Sequence, residues 1–125
     1  MPFLAGRIES CVVHEREFVG KGGKGPQREI KEVLKENVWL DAVIYGSAGL
    51  KAAVEAVGSD RVMFGTDHPF FPPVGREEKG EKREGRWLSV DMNVNAIRES
   101  FGGLDGKAAT SILGGNAVRM LGLEM

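Results

Sequence analysis

A carboxylate and an imidazole directly follow a short apolar run in the stretch DRVMFGTDHPFFPP, residues 60–73. Residues 61–64 have the composition of a buried strand, and the Gly-Thr pair after them allows the backbone to turn. Asp67 and His68 would then lie at the C-terminal end of that strand, where α/β enzymes carry their working groups. A loop aspartate that caps a turn has the same local sequence. The stretch therefore predicts either a catalytic Asp67 or a turn-capping one.

Few other side chains offer comparable chemistry. Cys11 is the single cysteine, which excludes an intrachain disulfide and a cysteine metal cluster. Its place on an apolar helical stripe predicts a buried, inert thiol. His14 lies among charged neighbours and is predicted as a surface histidine. The glycines at 20–25 fit no phosphate-loop spacing, so this segment is predicted as a solvated loop.

The composition excludes several classes of partner. The chain has 125 residues, 42% of them hydrophobic and 28% charged, which is ordinary for one globular domain. A formal net charge of −1 argues against nucleic acid or an anionic membrane as the main partner. No apolar run approaches the roughly 18–20 residues that a membrane span needs. Because no basic stretch precedes an apolar core at the N-terminus, we expect no signal peptide and a cytoplasmic location.

Hydrophobic periodicity predicts how these residues are positioned. Helices are predicted at 2–18, 26–37, 47–58, 89–101, 105–113 and 114–123, and strands at 38–45 and 61–64. Ser47 and Asn116 are predicted as N-caps, and Gly58 and Gly122 as helix terminators. Residues 74–86 mix both charges with almost no apolar side chain, which predicts a solvated, mobile loop insertion.

This order of elements predicts an α/β fold. Strands that alternate with helices form parallel β/α units joined by right-handed crossovers. Two parallel strands cannot cover the apolar stripes of so many helices, because purely parallel sheets occur almost only in larger buried assemblies. We therefore expect the chain to be part of a larger fold.

Four stretches, LDAVIY (40–45), GLKAAVEAVGSDRVMFGTDHPFFPP (49–73), WLSVDMNVNAI (87–97) and ILGGNAVRMLGL (112–123), carry a family resemblance. They resemble the C-terminal part of the amidohydrolase-related (amidohydrolase family 2) metal-dependent enzymes, and most of all the aminocarboxymuconate-semialdehyde decarboxylase branch. The resemblance implies that residues 1–125 form one partial barrel domain. This domain would hold about the last two β/α units of a (β/α)8 TIM-type barrel, with 74–86 as a charged loop insertion.

The resemblance also implies a metal site at the C-terminal ends of the strands. In the family, a divalent ion is held by a His-x-His pair after the first strand, a His after the fifth and an Asp after the eighth. A further His after the sixth strand works beside the metal. Asp67 matches the eighth-strand Asp, so the resemblance implies that it is both a metal ligand and a proton-transfer group. The implied cofactor is a divalent metal, most simply zinc, in a complete barrel.

A substrate-binding residue is implied as well. Arg7 matches an arginine that, in the decarboxylase, reaches the substrate carboxylate of the neighbouring subunit, which implies a small carboxylate substrate and a homodimer. A guanidinium binds a carboxylate through two parallel hydrogen bonds, so the role is chemically sensible. A salt bridge on the surface of a helix is the alternative for Arg7.

Two departures from the family pattern limit what this chain can do alone. Tyr45 stands where the decarboxylase has a His at the end of the seventh strand. His14 and His68 are the only histidines, and neither matches a metal ligand of the family. The resemblance places residue 1 just after the sixth-strand histidine turn, so the other ligands have no match here. We therefore expect the chain by itself to bind zinc weakly and to be inactive.

Several functions remain open at this point. The first is the C-terminal portion of a metal-dependent decarboxylase (carboxy-lyase) that acts on a small carboxylated substrate. The alternatives are a metal-dependent hydrolase of the same superfamily, or a non-catalytic truncated remnant that acts as an interaction module. A small binding domain with the Phe70-Phe71 pair as an exposed contact patch is a further alternative. Histidine motifs encoded in frame upstream would favour the enzyme.

Overall fold

Two short parallel strands and the helices around them make up most of the described structure. The computed structural model describes residues 2–18, 28–70, 73, 77–78, 81–82, 85 and 87–123. The helices are α1 (Pro2–Phe18), α2 (Ile30–Asn37), α3 (Ser47–Val57), α4 (Leu88–Phe101), α5 (Lys107–Thr110) and α6 (Asn116–Leu121). The strands are β1 (Leu40–Asp41), β2 (Val62–Met63), β3 (Glu77–Glu78) and β4 (Glu81–Lys82). A 3-10 turn (Ser59–Arg61) precedes β2, and a π-helical turn (Ser111–Gly115) joins α5 to α6.

The pairing of β1 with β2 confirms the predicted parallel arrangement. Leu40 lies opposite Val62 and Asp41 opposite Met63, and the Ala42 N–H donates to the Met63 carbonyl at 2.8 Å. Both strands are shorter than their apolar runs. The predicted strand at 38–45 stops pairing after Ala42 because the N–H groups beyond it bond to other partners.

The other edge of β2 is occupied by the C-terminal helical segment. The Phe64 N–H donates to the Ile112 carbonyl at 2.8 Å, from within the π-helical turn. The Asn116 side chain donates through Nδ2 to the carbonyls of Val62 (2.7 Å) and Ser59 (2.8 Å). The prediction that Asn116 caps a helix was therefore wrong, since its fully buried side chain bonds to the backbone around β2.

An apolar core lies between this strand pair and the helices. Its most deeply buried apolar side chains come from α3, β2, α4 and the C-terminal segment, and are those of Leu50, Val62, Ile97, Ala109 and Ile112. Helix α3 begins after an extended Gly46 with no side-chain cap, so the predicted Ser47 N-cap was also wrong. The predicted terminators Gly58 and Gly122 do follow α3 and α6, and Gly122 adopts the left-handed conformation typical of a helix C-cap.

Helix α1 turns its predicted apolar stripe to solvent. It contacts α2 and α3, and Ala5 packs against the core. Leu4 and Ile8, one turn apart on an outer side of the helix, are 51% and 39% exposed. Cys11 lies on that outer side and is exposed, so the prediction of a buried thiol was wrong. The periodicity identified an apolar face, but the packing of α1 on its neighbours decided which face is covered.

The predicted insertion at 74–86 is only partly described. Strands β3 and β4 pair antiparallel within it, with Glu77 opposite Lys82 and Glu78 opposite Glu81. The rest of the insertion, except Gly85, and the whole glycine loop at 20–25 lie outside the described residues. Within the described ranges, no helix has the length and apolar character required to cross a membrane.

Candidate functional site

The chain segments that follow β1 and β2 bring a phenol and a carboxylate together. Tyr45 follows β1, Asp67 follows β2, and the Tyr45 hydroxyl donates to Asp67 Oδ2 at 3.3 Å. Both residues have a left-handed backbone, with φ of 56° for Tyr45 and 58° for Asp67. Such φ values are uncommon for residues other than glycine, and they persist where surrounding contacts hold the backbone. The left-handed backbone at both residues therefore accompanies the hydrogen bond between their side chains.

Tyr45 and Asp67 are also coupled electrostatically. Desolvation raises the pKa of Tyr45 above the ordinary 10.0, and the negative charge of Asp67 and the hydrogen bond to it raise this pKa further. The phenol therefore stays protonated at neutral pH and can donate to the carboxylate. The pKa of Tyr45 is higher in the folded protein than in the unfolded chain. The neutral phenol therefore makes its full contribution to folding stability below pH 10.0, and this contribution is lost as the pH rises through the pKa of the folded state.

This coupling predicts a measurable titration. Tyr45 is the only tyrosine of the chain, so the ultraviolet absorbance of tyrosinate reports on it alone. In metal-free buffer, we expect the phenol to titrate above pH 10.0, and Asp67→Asn to lower its pKa towards that value. Asp60→Asn, which removes another exposed carboxylate, should leave the titration unchanged. An equal pKa in the wild type and in Asp67→Asn would contradict the coupling.

Side chains, rather than a neighbouring strand, hold the end of β1. The Val43 N–H donates to Asp41 Oδ1 at 2.9 Å. The N–H groups of Ile44 and Tyr45 both donate to Asn93 Oδ1, at 3.0 and 2.9 Å. Asn93 lies on α4, and the sequence analysis did not predict that it holds the end of β1. The available signal was a polar residue one turn before Ile97, on the buried face of α4.

The end of β2 is shaped by a tight turn. Thr66 Oγ1 accepts the His68 N–H at 3.3 Å, and the Asp67 carbonyl accepts the Phe70 N–H at 2.9 Å. The exposed His68 ring packs against Trp87, with ring centroids 4.4 Å apart at an interplanar angle of 47°. Asp67 itself is exposed. Its carboxylate is therefore accessible while the turn fixes its backbone.

Gly65 leaves the room that Asp41 needs. A Cβ atom at residue 65 would overlap Asp41 Oδ1 and lie 2.7 Å from its Cγ. We expect Gly65→Ala to displace the exposed Asp41 carboxylate from the Val43 N–H and to destabilise the fold by about 0.5–1.5 kcal/mol, the usual contribution of one hydrogen bond. In an Asp41→Ala background the same substitution should cost much less, measured as a double-mutant cycle of urea unfolding. Additive costs would show that the Asp41 side chain does not constrain residue 65.

The structure does not bring Arg7 to this site. Arg7 is exposed on α1, and that helix contacts α2 and α3. In the described part of the chain, no hydrogen bond or ion pair joins Arg7 to Asp67, and none forms the helix salt bridge that was the alternative for Arg7. A substrate-binding role for Arg7 within one copy of the chain therefore has no support from this arrangement.

Asp67 is suited to be one ligand of a metal site. A carboxylate oxygen at a strand end is a suitable donor for a divalent cation, but zinc takes about four donors. Among the described residues, no group of three or more His, Cys, Asp or Glu side chains could hold a metal ion. These residues therefore do not form a complete metal site, and further donors would be required beside Asp67.

Comparisons with known proteins give the family. A sequence model of the amidohydrolase family matches residues 10–123. The chain is 28% identical over 135 residues to the 2-amino-3-carboxymuconate-6-semialdehyde decarboxylase of Dictyostelium discoideum, a match that covers 98% of this chain and 28% of that protein. It is 52% identical to the IDCase of Metarhizium anisopliae in its apo crystal structure, with a TM-score of 0.80, covering 99% of this chain and 32% of that chain.

Both relatives match almost all of this chain, but the chain covers only part of each relative. The chain spans about a third or less of the length of either protein. The family model matches residues 10–123 of this chain, a range that includes Tyr45, Asp67 and Asn93. The chain therefore belongs to the amidohydrolase family.

Proposed function

We propose that the chain is the C-terminal part of a metal-dependent decarboxylase that acts on a small carboxylated substrate. The observation that carries this proposal is the Asp67 carboxylate, exposed after β2 and hydrogen-bonded by the Tyr45 phenol that follows β1. The name of the Dictyostelium relative, a decarboxylase, supports the reaction type. Amidohydrolases are generally metal-dependent, which supports a role for Asp67 as both metal ligand and catalytic group.

The proposal requires a larger barrel around these residues. We infer that β1 and β2 are the last two strands of a (β/α)8 TIM-type barrel, with the working groups after the C-terminal ends of the strands. Parallel pairing of β1 with β2, and helices α3 and α4 after them, support this placement. The limited share of each relative that the chain covers supports it too.

In such a site Asp67 would transfer a proton, and Tyr45 would orient the Asp67 carboxylate. When a C–C bond to a carboxylate breaks, CO2 leaves and the electron pair stays on carbon, which must then take up a proton. Asp67 can hold and deliver that proton at a carboxylate oxygen. The neutral Tyr45 phenol orients Asp67 by donating to its other oxygen. A bound divalent metal would supply Lewis-acid stabilisation of developing negative charge.

A hydrolase of the same family is the second candidate. The observation that favours it is Tyr45 itself, because the resemblance to the decarboxylase implies a His at that position. A hydrolytic reaction also uses a carboxylate that takes and returns a proton. The two candidates therefore differ in the bond that breaks and share Asp67.

A chimeric barrel tests the function directly. Residues 1–125 would replace the matching third of the Metarhizium protein, which is 52% identical to them. With divalent metal added, we expect the chimera to release CO2 from a small carboxylate such as 2-amino-3-carboxymuconate 6-semialdehyde, and to lose this activity with a chelator. Residues 1–125 alone should release none. Hydrolysis of amide or ester substrates without CO2 release would favour the hydrolase.

The dimer and the substrate contact of Arg7 stay predictions. Leu4 and Ile8, which lie one helical turn apart, form an exposed apolar surface on the helix that carries Arg7. An apolar helix face of this kind is typical of a protein–protein contact. This supports a homodimer in which Arg7 of one subunit contacts the carboxylate of a substrate bound by the other. The cytoplasmic location also stays a prediction.

A further inference from the structure

The conformation of Tyr45 needs an explanation from outside β1. Parallel pairing ends at Ala42, whose N–H still bonds to Met63. The next three N–H groups, at residues 43–45, bond to oxygen atoms of side chains, and the Ile44 N–H also donates to the Ala42 carbonyl at 2.9 Å. Because Tyr45 has φ of 56°, a conformation unfavourable for a side chain with a Cβ atom, contacts must hold it there. Two of these three N–H groups have the same acceptor.

That acceptor is a rigid one. Asn93 is 1% exposed, and its Nδ2 donates to the Ser89 carbonyl at 2.8 Å, one turn earlier in α4. The amide plane is therefore fixed at one end by the helix backbone and at the other by the N–H groups of Ile44 and Tyr45. Each group of this amide has a partner, as buried polar groups require.

We propose that Asn93 is a positioning residue for the candidate site. Its amide oxygen accepts two consecutive N–H groups and thereby fixes the left-handed backbone at Tyr45, which carries the phenol to Asp67. The catalytic significance of this role rests on the proposed function, whereas the positioning itself does not. Asn93 acts through Tyr45 and has no hydrogen bond of its own to Asp67 among the described contacts.

A positioning role and a merely space-filling role for Asn93 predict different effects of substitution. A residue that only fills space could be replaced by Leu, whose side chain has the same number of heavy atoms and the same branch point, with no effect on Tyr45. Leu has no acceptor, however, so the part-buried Tyr45 N–H would lose this bond and the Ile44 N–H would keep only the Ala42 carbonyl. The backbone at Tyr45 would then relax. Asp keeps an acceptor oxygen for the two N–H groups, but it gives up the bond to the Ser89 carbonyl and brings a carboxyl group into a buried position. This burial lowers stability, so the fold of this variant is checked as well. The neighbouring Ser89 hydroxyl is buried without a hydrogen-bond partner among the described residues, so Ser89→Ala is a matched control.

Carbon-13 labelling of the tyrosine hydroxyl-bearing carbon provides the test. Tyr45 is the only tyrosine, so residues 1–125 give one signal, and Asp67→Asn gives the reference position for a phenol without the carboxylate. We expect Asn93→Leu to move the signal to that reference position. Asn93→Asp and Ser89→Ala should leave it at the wild-type position, with helix content checked by circular dichroism.

A wild-type signal in folded Asn93→Leu would overturn the proposal. If Asn93→Leu fails to fold, Asn93→Asp decides, because a shifted signal in this acceptor-retaining variant contradicts the proposal and an unchanged one supports it. In the chimeric barrel, Asn93→Leu should lower kcat by about 10²-fold with little change in KM. Loss of all CO2 release in the unsubstituted chimera would reject the proposed function and leave the labelling result to judge the positioning role.

Discussion

Asp67→Asn in the complete barrel is expected to remove nearly all turnover while the fold is retained. The two side chains are nearly isosteric, and residue 67 is exposed after β2, so the core is untouched. An amide cannot take up a proton at this position or supply negative charge to a metal. General acid–base groups contribute about 10²–10⁴-fold, and weakened metal binding would add to that loss. The measurement is the rate of CO2 release, with bound metal quantified in each variant.

Thr66→Ala is the matched control for this prediction. Thr66 is the immediate neighbour of Asp67, and its hydroxyl accepts the His68 N–H at 3.3 Å within the turn. Loss of this partly exposed bond should lower turnover far less than loss of the carboxylate. If Asp67→Asn kept more than about a tenth of wild-type turnover, the loss would fall below the range for acid–base groups. The assignment of Asp67 as a catalytic group would then be wrong.

Asn116→Ala is expected to lower the free energy of unfolding by about 2–4 kcal/mol. Asn116 is fully buried, and its Nδ2 bonds to the carbonyls of Ser59 and Val62 at 2.8 and 2.7 Å. Alanine would leave both carbonyls without this partner, and each unsatisfied buried group costs about 1–3 kcal/mol. Urea unfolding of residues 1–125, followed by circular dichroism, measures the change.

Asn95→Ala provides the comparison for this stability effect. Asn95 is exposed on α4 and bonds to the Arg98 guanidinium of the same helix. Surface substitutions of this kind usually change stability by no more than about 0.5 kcal/mol. Similar losses for Asn95→Ala and Asn116→Ala would mean that the bonds across the edge of β2 do not stabilise the fold.

The sequence was sufficient to predict the parts of the fold that local patterns control. Apolar periodicity and glycine punctuation predicted α3 and α4 to within about two residues, because amphipathic helices encode their buried face locally. Strands alternating with helices predicted the parallel pair, since a crossover helix leaves little other choice. The position of Asp67 after β2 followed from the same run of residues. The resemblance of these stretches to the amidohydrolases was confirmed by the family match.

The remaining features depend on partners that are distant in sequence. Asn93 lies 48 residues from Tyr45 and bonds to its N–H, and Asn116 lies 54 residues from Val62. Both asparagines stand in stretches that carry the family resemblance, but the sequence assigned no role to Asn93 and predicted Asn116 as a cap. Cys11 was misplaced because a helix with apolar residues on two sides can cover either one, and contact of α1 with α2 and α3 decided which. The sequence thus determined which residues could do chemistry at the strand ends, whereas only the tertiary structure decided which side chains hold them in place. Polar groups in a packed interior bond to whichever partners the assembled chain brings within reach.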